Sequence, residues 1–376
     1  MISKLISIVR GVLRWVYRAF YLKPRSVCDV LIHRKKWCNH TSYYPELKSK
    51  SSWQIEKDQI LQSIKYGFPN PFYFSYGFDV KSDEEMNKYL HNIVFMKIRN
   101  KYNVTQNSAI PVLRDKVLFG MLADYMGVNY SKNLGITTPE GIFDIEQKQE
   151  TSYHSFFNRF TEADMFIKPV DGECGKGIMH LLINKSGMKS NGEDIKMDEL
   201  EEILKRSRFL IQSTVEQHPD MASLHPQSLN TIRLVTIRNR RTGELEVFPS
   251  ILRIGTGGSN VDNTSQGGLA VGIKLETGQL KEYGFYKPEF GTRVSIHPDS
   301  GIVFSEFKIP FFEECKKQAI LLHSMLPSIH SIGWDVAVGK DGPVFIEGND
   351  NWEINGPQIC NGGLKKAFLD ACGDFK

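Results

Sequence analysis

A chain of 376 residues, 41% apolar and 24% charged, is long enough for two or three lobes with a sizeable core, and its composition excludes a fibrous or low-complexity protein. The net charge of +4 is unevenly placed: the first 40 residues hold nine Lys/Arg against one Asp, so the other 336 sum to −4 and the body is no basic nucleic-acid binder. Six cysteines without a C-x-x-C pair exclude a thioredoxin or zinc-ribbon motif and fit a reducing cytosol.

Residues 2–21, "ISKLISIVRGVLRWVYRAFY", predict a basic amphipathic helix. Lys4, Arg10, Arg14 and Arg18 fall on one face; Ile2, Leu5, Val9, Val12, Leu13, Val16 and Phe20 fill the other. A charge about every four residues makes this a poor membrane span, and no cleavage site marks it as a signal peptide. Such a helix suits the surface of an anionic membrane, on the cytoplasmic side, or else packs on the protein's own body.

Residues 52–108 read as helical, with a break at "GFPNPFYF". "PVLRDKVLFGMLADYMGV" predicts a helix capped by Asp115, with Val117, Leu118, Met121, Leu122 and Tyr125 at helical spacing. "LGITTPEGIFDI" turns into a strand, and "MFIKPV" and "GIMHLLIN" are strands flanking a glycine stretch. "KMDELEEILKRS" predicts a helix with Asp198 and Glu201 as its capping box, followed by a strand over 209–215. After residue 229, "LNTIRLVTI", "ELEVFPSILRI", "GLAVGIKL" and "WDVAVGKDGPVFIEGN" are strands, interrupted by the helix "FFEECKKQAILLHSML". The sum is an α+β architecture with mixed or antiparallel sheets.

The glycine stretch lies in "FIKPVDGECGKGI" (166–178), where Asp-Gly between strand-like runs is a hairpin signal. Its spacing is wrong for a Walker A loop. Lys168 nevertheless interrupts an apolar strand, and Gly172, Gly175 and Gly177 around Lys176 would let backbone N–H groups approach an anion. A hairpin flap of this kind can cover a triphosphate if a metal site lies elsewhere.

That site is suggested by "GWDVAVGKDGPVFIEGND" (333–350). With a three-residue turn at Lys340-Asp341-Gly342, Asp335 faces Glu347, and period two puts Asn349 beside Glu347. Facing carboxylates repel unless a cation lies between them, and oxygen ligands of this type suit Mg²⁺. Arg233 interrupts the apolar run "TIRLVTI", as a structural ion pair or as a guanidinium fork on a phosphoryl oxygen.

In this order, these residues resemble the ATP-grasp superfamily, and within it the sugar-transfer-associated, teichuronopeptide-biosynthesis-like proteins, over roughly residues 108–362. The resemblance implies two α+β subdomains gripping ATP: a lid-side unit over 108–215 and a core unit over 216–376, after an N-terminal helix (1–25) and a helical region (26–107). It implies nucleotide contacts from Lys116, Lys168, the flap residues Gly172, Gly175, Lys176 and Gly177, the hinge Gln212-Ser213-Thr214-Val215, and His218. It implies catalysis by Arg233 and Lys168, metal ligation by Asp335, Glu347 and Asn349, and an acceptor segment with Asp262, Asn263, Gln266, Gly267 and Gly268. The expected reaction is ATP- and Mg²⁺-dependent joining of a carboxylate, sugar-linked in this family, to an amine or amino acid. A kinase on the same fold, or a non-catalytic nucleotide-binding scaffold, would use the same nucleotide residues. Trp352 and Glu353, in "NDNWEINGPQ", have no role in that pattern.

Overall fold

In the computed structural model, which describes residues 11–103, 107–170, 177–259 and 262–373, the strands form two sheets. The first holds β1 (Asn133–Thr137), β2 (Ile142–Asp144), β3 (Gln149–Thr151), β4 (Ala163–Pro169), β5 (Met179–Asn184), β6 (Gly187–Ser190), β7 (Glu193–Asp194) and β8 (Phe209–Ser213), in the order β3-β2-β1-β8-β4-β5-β6-β7. The second holds β9 (Thr231–Arg238), β10 (Leu245–Ile254), β11 (Leu269–Ile273), β12 (Leu280–Phe285), β13 (Arg293–Val294), β14 (Ser331–Gly339) and β15 (Gly342–Asn349), in the order β13-β12-β11-β10-β9-β14-β15. The ladders between these strands are all antiparallel, so the α+β expectation holds.

Period-two alternation sorts the second sheet into two covered faces. Ile232 and Leu234 of β9, with Trp334, Val336 and Val338 of β14, pack into a core shared with the helices Lys116–Tyr125 and Phe312–Ser324. Val235 and Ile237 face the other way, against Phe95 and Ile98 of the helix Asn92–Asn103 and against Trp352 and Phe368. The N-terminal helical region is therefore a lid on the sheet face that also carries Arg233. The first sheet packs Met165, Ile167 and Ile211 against Phe156, Phe157, Leu200 and Leu204 of two short helices.

Several local expectations change. The helix Met197–Leu204 is capped at Lys196, whose N–H donates to Glu199 Oε2 at 3.0 Å; Asp198 lies inside the helix and Glu201 pairs with Lys205 instead. A helix start two residues earlier than the acidic pattern suggested accounts for the shift. In the helix Lys116–Tyr125 the core side is Phe119 and Ala123, whereas Leu118, Met121 (62% exposed) and Tyr125 (79% exposed) face solvent. Strand β8, after the helix Met197–Leu204, ends at Ser213 rather than residue 215. The charged strand β12, "LKEYGF", carries too weak an apolar alternation to be read from sequence.

Candidate active site

Asp115 caps the helix Lys116–Tyr125, its Oδ1 accepting the N–H groups of Val117 (2.8 Å) and Leu118 (3.1 Å). That cap fixes Lys116 in the first turn. Lys168 sits near the end of β4, opposite Leu210 of β8, with its ammonium 5.6 Å from the Phe166 ring centroid. The pKa of Lys168 is lowered to about 8, first by burial and then by the neighbouring Lys116, with Glu347 opposing both. Lys168 of the first sheet, Lys116 at the start of a helix packed on the second sheet, and Glu347 of that second sheet thus share one electrostatic neighbourhood.

On the second sheet three charged residues lie side by side on adjacent strands. Arg233 of β9 pairs with Asp335 of β14, which pairs with Glu347 of β15. The turn behind this register is not the three-residue loop. Gly339 pairs with Gly342, leaving a two-residue turn at Lys340-Asp341, and an extra residue in β15 shifts the ladder between Asp335 and Val336. Without that bulge Asp335 would face Ile346, and Glu347 would point to the opposite face. Gly333, two residues before Asp335, pairs with Asn349, so Asn349 shares this face, and its Nδ2 donates to Glu347 Oε1 at 3.3 Å.

Asp335 is 4% exposed and held by two guanidinium groups. Arg233 donates from Nε to Oδ1 (2.5 Å) and from Nη2 to Oδ2 (3.1 Å), and Arg253 Nη2 donates to Oδ2 at 3.0 Å. Burial pushes the Asp335 carboxyl up, but the two arginines outweigh it and hold its pKa below the usual carboxylate value. Arg253 Nε also lies 3.4 Å from Asp262 Oδ2, and Asp262 Oδ2 accepts the Thr231 N–H at 3.0 Å and the Thr231 hydroxyl. For Asp262 burial wins, and the carboxyl is raised. The network Arg233–Asp335–Arg253–Asp262 joins the residues expected at the metal site to the first residue of the acceptor segment.

Arg253 was missed from sequence, yet "SILRIG" bears the signal that singled out Arg233: one cation inside an apolar strand. Glu347 and Asn349 offer hard oxygens on one face, a donor set that fits Mg²⁺ arriving with a nucleotide. Asp335 has both oxygens engaged by arginine.

The other expected residues fall as follows. Gly172, Gly175 and Lys176 lie outside the described residues. Gly177 has φ +72°, and a Cβ there would meet Pro169 Cγ at 3.1 Å, so the return of the β4–β5 hairpin needs glycine. Gln212 is buried, its Nε2 donating to Ser131 O and Asn133 Oδ1. The N–H groups of Ser213 and Thr214 donate to Lys132 O (2.9 Å) and Asp164 O (3.1 Å), and Val215 follows in the connection to the second sheet. His218 caps the helix Pro219–Leu224, its Nδ1 accepting from Asp220 N at 3.1 Å, and its own N–H reaches Val338 O at 2.8 Å. Asn263 caps the turn Thr264–Gln266 by accepting the Ser265 N–H at 3.1 Å. Gln266 is exposed, Gly267 has φ +97°, and a Cβ on Gly268 would lie 2.6 Å from Asp262 O. Trp352 is a packing residue: it is fully buried beside Phe95, and its Nε1 donates to Ser331 Oγ at 3.0 Å. Glu353 is exposed and accepts from Asn355 Nδ2.

Two antiparallel sheets, with Lys168 on one, a row of arginine and carboxylates on the other, and Lys116 at the start of a helix packed on that second sheet, define an ATP-grasp protein. Residues 96–371 match the family model described as sugar-transfer associated ATP-grasp, and the chain belongs to that family. No curated protein matches the sequence. Among solved structures it is similar to the ATP-grasp ligase PsnB complexed with minimal precursor, Mg and ADP, at 15% identity over 72% of this chain and 62% of that one, with a TM-score of 0.38. It is similar to the VanG D-Ala:D-Ser ligase from Enterococcus faecalis at 12% identity, covering 69% and 60%, with a TM-score of 0.38. It is also similar to an L-amino acid ligase from Bacillus licheniformis at 11% identity, covering 81% and 62%, with a TM-score of 0.39. The chain spans less than two thirds of the length of each.

Proposed function

We propose that this protein is an ATP-dependent carboxylate–amine ligase, and that its acid is a sugar uronic acid or another sugar-linked carboxylate used in cell-surface polysaccharide assembly. The carrying observation is the meeting of Lys116 and Lys168 with Glu347, beside Arg233 and Asp335. In this reading residues 108–215 form the lid-side unit and 216–376 the core unit. Lys116 and Lys168 bind the triphosphate, and the 212–215 connection and His218 flank the nucleoside. Glu347 and Asn349, with Asp335 behind them, hold Mg²⁺, which when bound offsets phosphate charge and polarises the γ-phosphoryl group.

A carboxylate oxygen of the acid attacks the γ-phosphorus; the bond from that phosphorus to the β–γ bridging oxygen breaks and ADP leaves. The amine nitrogen then attacks the acyl carbon, the acyl C–O bond breaks, and orthophosphate and one proton are released. Arg233, already aligned by Asp335, stabilises the oxygens of the transferring group. The segment from Asp262 through Gly268 positions the acceptor.

A phosphorus NMR time course with MgATP and pools of uronic acids and amino compounds tests this. Orthophosphate and ADP that appear only when both pools are present are expected. A phosphoester that needs the sugar pool alone would replace the ligase with a kinase, and no turnover with nucleotide still bound would leave a scaffold.

We also place the protein peripherally on an anionic membrane, on its cytoplasmic side. Among the described residues no helix is long and apolar enough to cross one. Val12, Leu13, Trp15, Val16 and Phe20 (72% exposed) are all open to solvent, which favours a surface anchor over a helix packed on the body. Removing residues 1–25 should abolish binding to anionic vesicles; unchanged partition would refute the anchor.

A further inference from the structure

A cluster of two histidines and an aspartate lies beside the segment that leads into Asp262. His225, His297 and Asp299 offer ligand atoms that all lie within 4.8 Å of one another. They come from two places: His225 closes the helix Pro219–Leu224, and His297 and Asp299 lie two residues apart in one turn after β13. Both rings are oriented by backbone carbonyls. His225 Nε2 meets Ser259 O at 2.9 Å and His297 Nε2 meets Gly255 O at 2.9 Å. A carbonyl only accepts, so each Nε2 carries a proton, which leaves Nδ1 as the ring nitrogen through which each histidine would bind a metal. A carbonyl held on one ring nitrogen orients the other toward a metal.

The two electron-rich atoms His225 Nδ1 and Asp299 Oδ2 then face each other at 3.5 Å. They repel unless a proton or a cation lies between them, and their separation matches two ligands sharing one ion. Asp299 Oδ2 also accepts the Gly257 N–H at 2.7 Å, which aims it inward. The competing contacts on His297 Nδ1 are the Ser300 N–H at 3.3 Å and the Ser300 hydroxyl at 3.2 Å, both long for hydrogen bonds. His225 and His297 are buried, and Asp299 is 41% exposed, so one side is dry and the other open to entry.

We propose that His225 Nδ1, His297 Nδ1 and Asp299 bind a borderline first-row divalent cation such as Zn²⁺, with the remaining position open to water or an acceptor group. Two imidazoles and one carboxylate favour such an ion over Mg²⁺. The ion ties the loop Gly255–Ser259, which supplies both orienting carbonyls, to the bend at 297–300. Gly255 is required there, since a Cβ would lie 2.6 Å from His225 Cδ2. That loop leads into Asp262, so the ion fixes the entry to the acceptor segment whatever reaction follows.

The test uses the full chain, stripped with chelator and titrated with Co²⁺, read by visible absorption and by metal content after gel filtration. One equivalent of Co²⁺ with a ligand-field band, displaced by Zn²⁺ and unaffected by excess Mg²⁺, is expected in the wild type and in Glu347→Gln. Asp299→Ala and His225→Gln should lose the band. Asp299 is part exposed, so Asp299→Ala should keep the metal-free melting temperature, and a Zn²⁺-dependent rise in Tm should be present in the wild type and absent from that variant. No saturable band, or a band that survives in Asp299→Ala, overturns the site and leaves an imidazolium–carboxylate pair in its place.

Discussion

Neutralising Lys168 should weaken nucleotide binding, and pH alone can do it. Its pKa is lowered to about 8, mostly by burial and then by Lys116. If the phosphates bind only the ammonium form, the apparent Kd scales with the inverse of the protonated fraction, and it rises about tenfold from about pH 7 to about pH 9. The stability of the free protein responds with the opposite sign. Between about 8 and 10.5 the unfolded chain holds the Lys168 proton more tightly than the folded one, so the contribution of this group to stability grows as pH rises through that window. Calorimetric titration with MgADP across this range, in wild type, Lys168→Arg and Lys168→Met, isolates the effect. The Arg variant keeps its charge and should be flat; the Met variant should be weak throughout, without the tenfold fall. A wild-type Kd that does not change, or a fall of equal size in Lys168→Met, would refute the placement of Lys168 on the phosphates.

Three other substitutions probe the site and its support. Arg253→Met leaves the mostly buried Asp262 without its guanidinium partner and Asp335 with Arg233 alone, and should cost about 3–5 kcal/mol by chemical denaturation; adding Asp262→Asn should recover part of that loss. Glu347→Gln should leave the melting temperature nearly unchanged but reduce the dependence of ADP binding on Mg²⁺, and undiminished Mg²⁺ dependence would remove Glu347 from the ligand set. Trp352→Ala opens a cavity among Phe95, Phe248 and Phe368 and should cost about 3–5 kcal/mol; a fall in Tm no larger than that of a surface substitution would contradict its packing role.

The facing of Asp335 and Glu347 was legible in sequence for a reason that is only half right. Numbers symmetric about residue 341 suggested a three-residue turn, whereas a two-residue turn and a bulge give the same sum. A turn and a bulge each add one residue to the count, and local chemistry does not say which.

Sequence by itself determined what depends on neighbours along the chain. Asp115 caps its helix, Lys168 interrupts an apolar strand, and strands alternate around glycine turns, because capping, strand periodicity and turn chemistry act over a few residues. Tertiary structure alone decided what depends on distant partners. It brought Arg253 onto Asp335, turned Phe119 rather than Met121 into the core, laid the N-terminal helices over the Arg233 face, and set His225 beside Asp299. Those contacts join residues about 70 or more positions apart, and their pairing follows from sheet order and from which apolar face finds a partner to cover it.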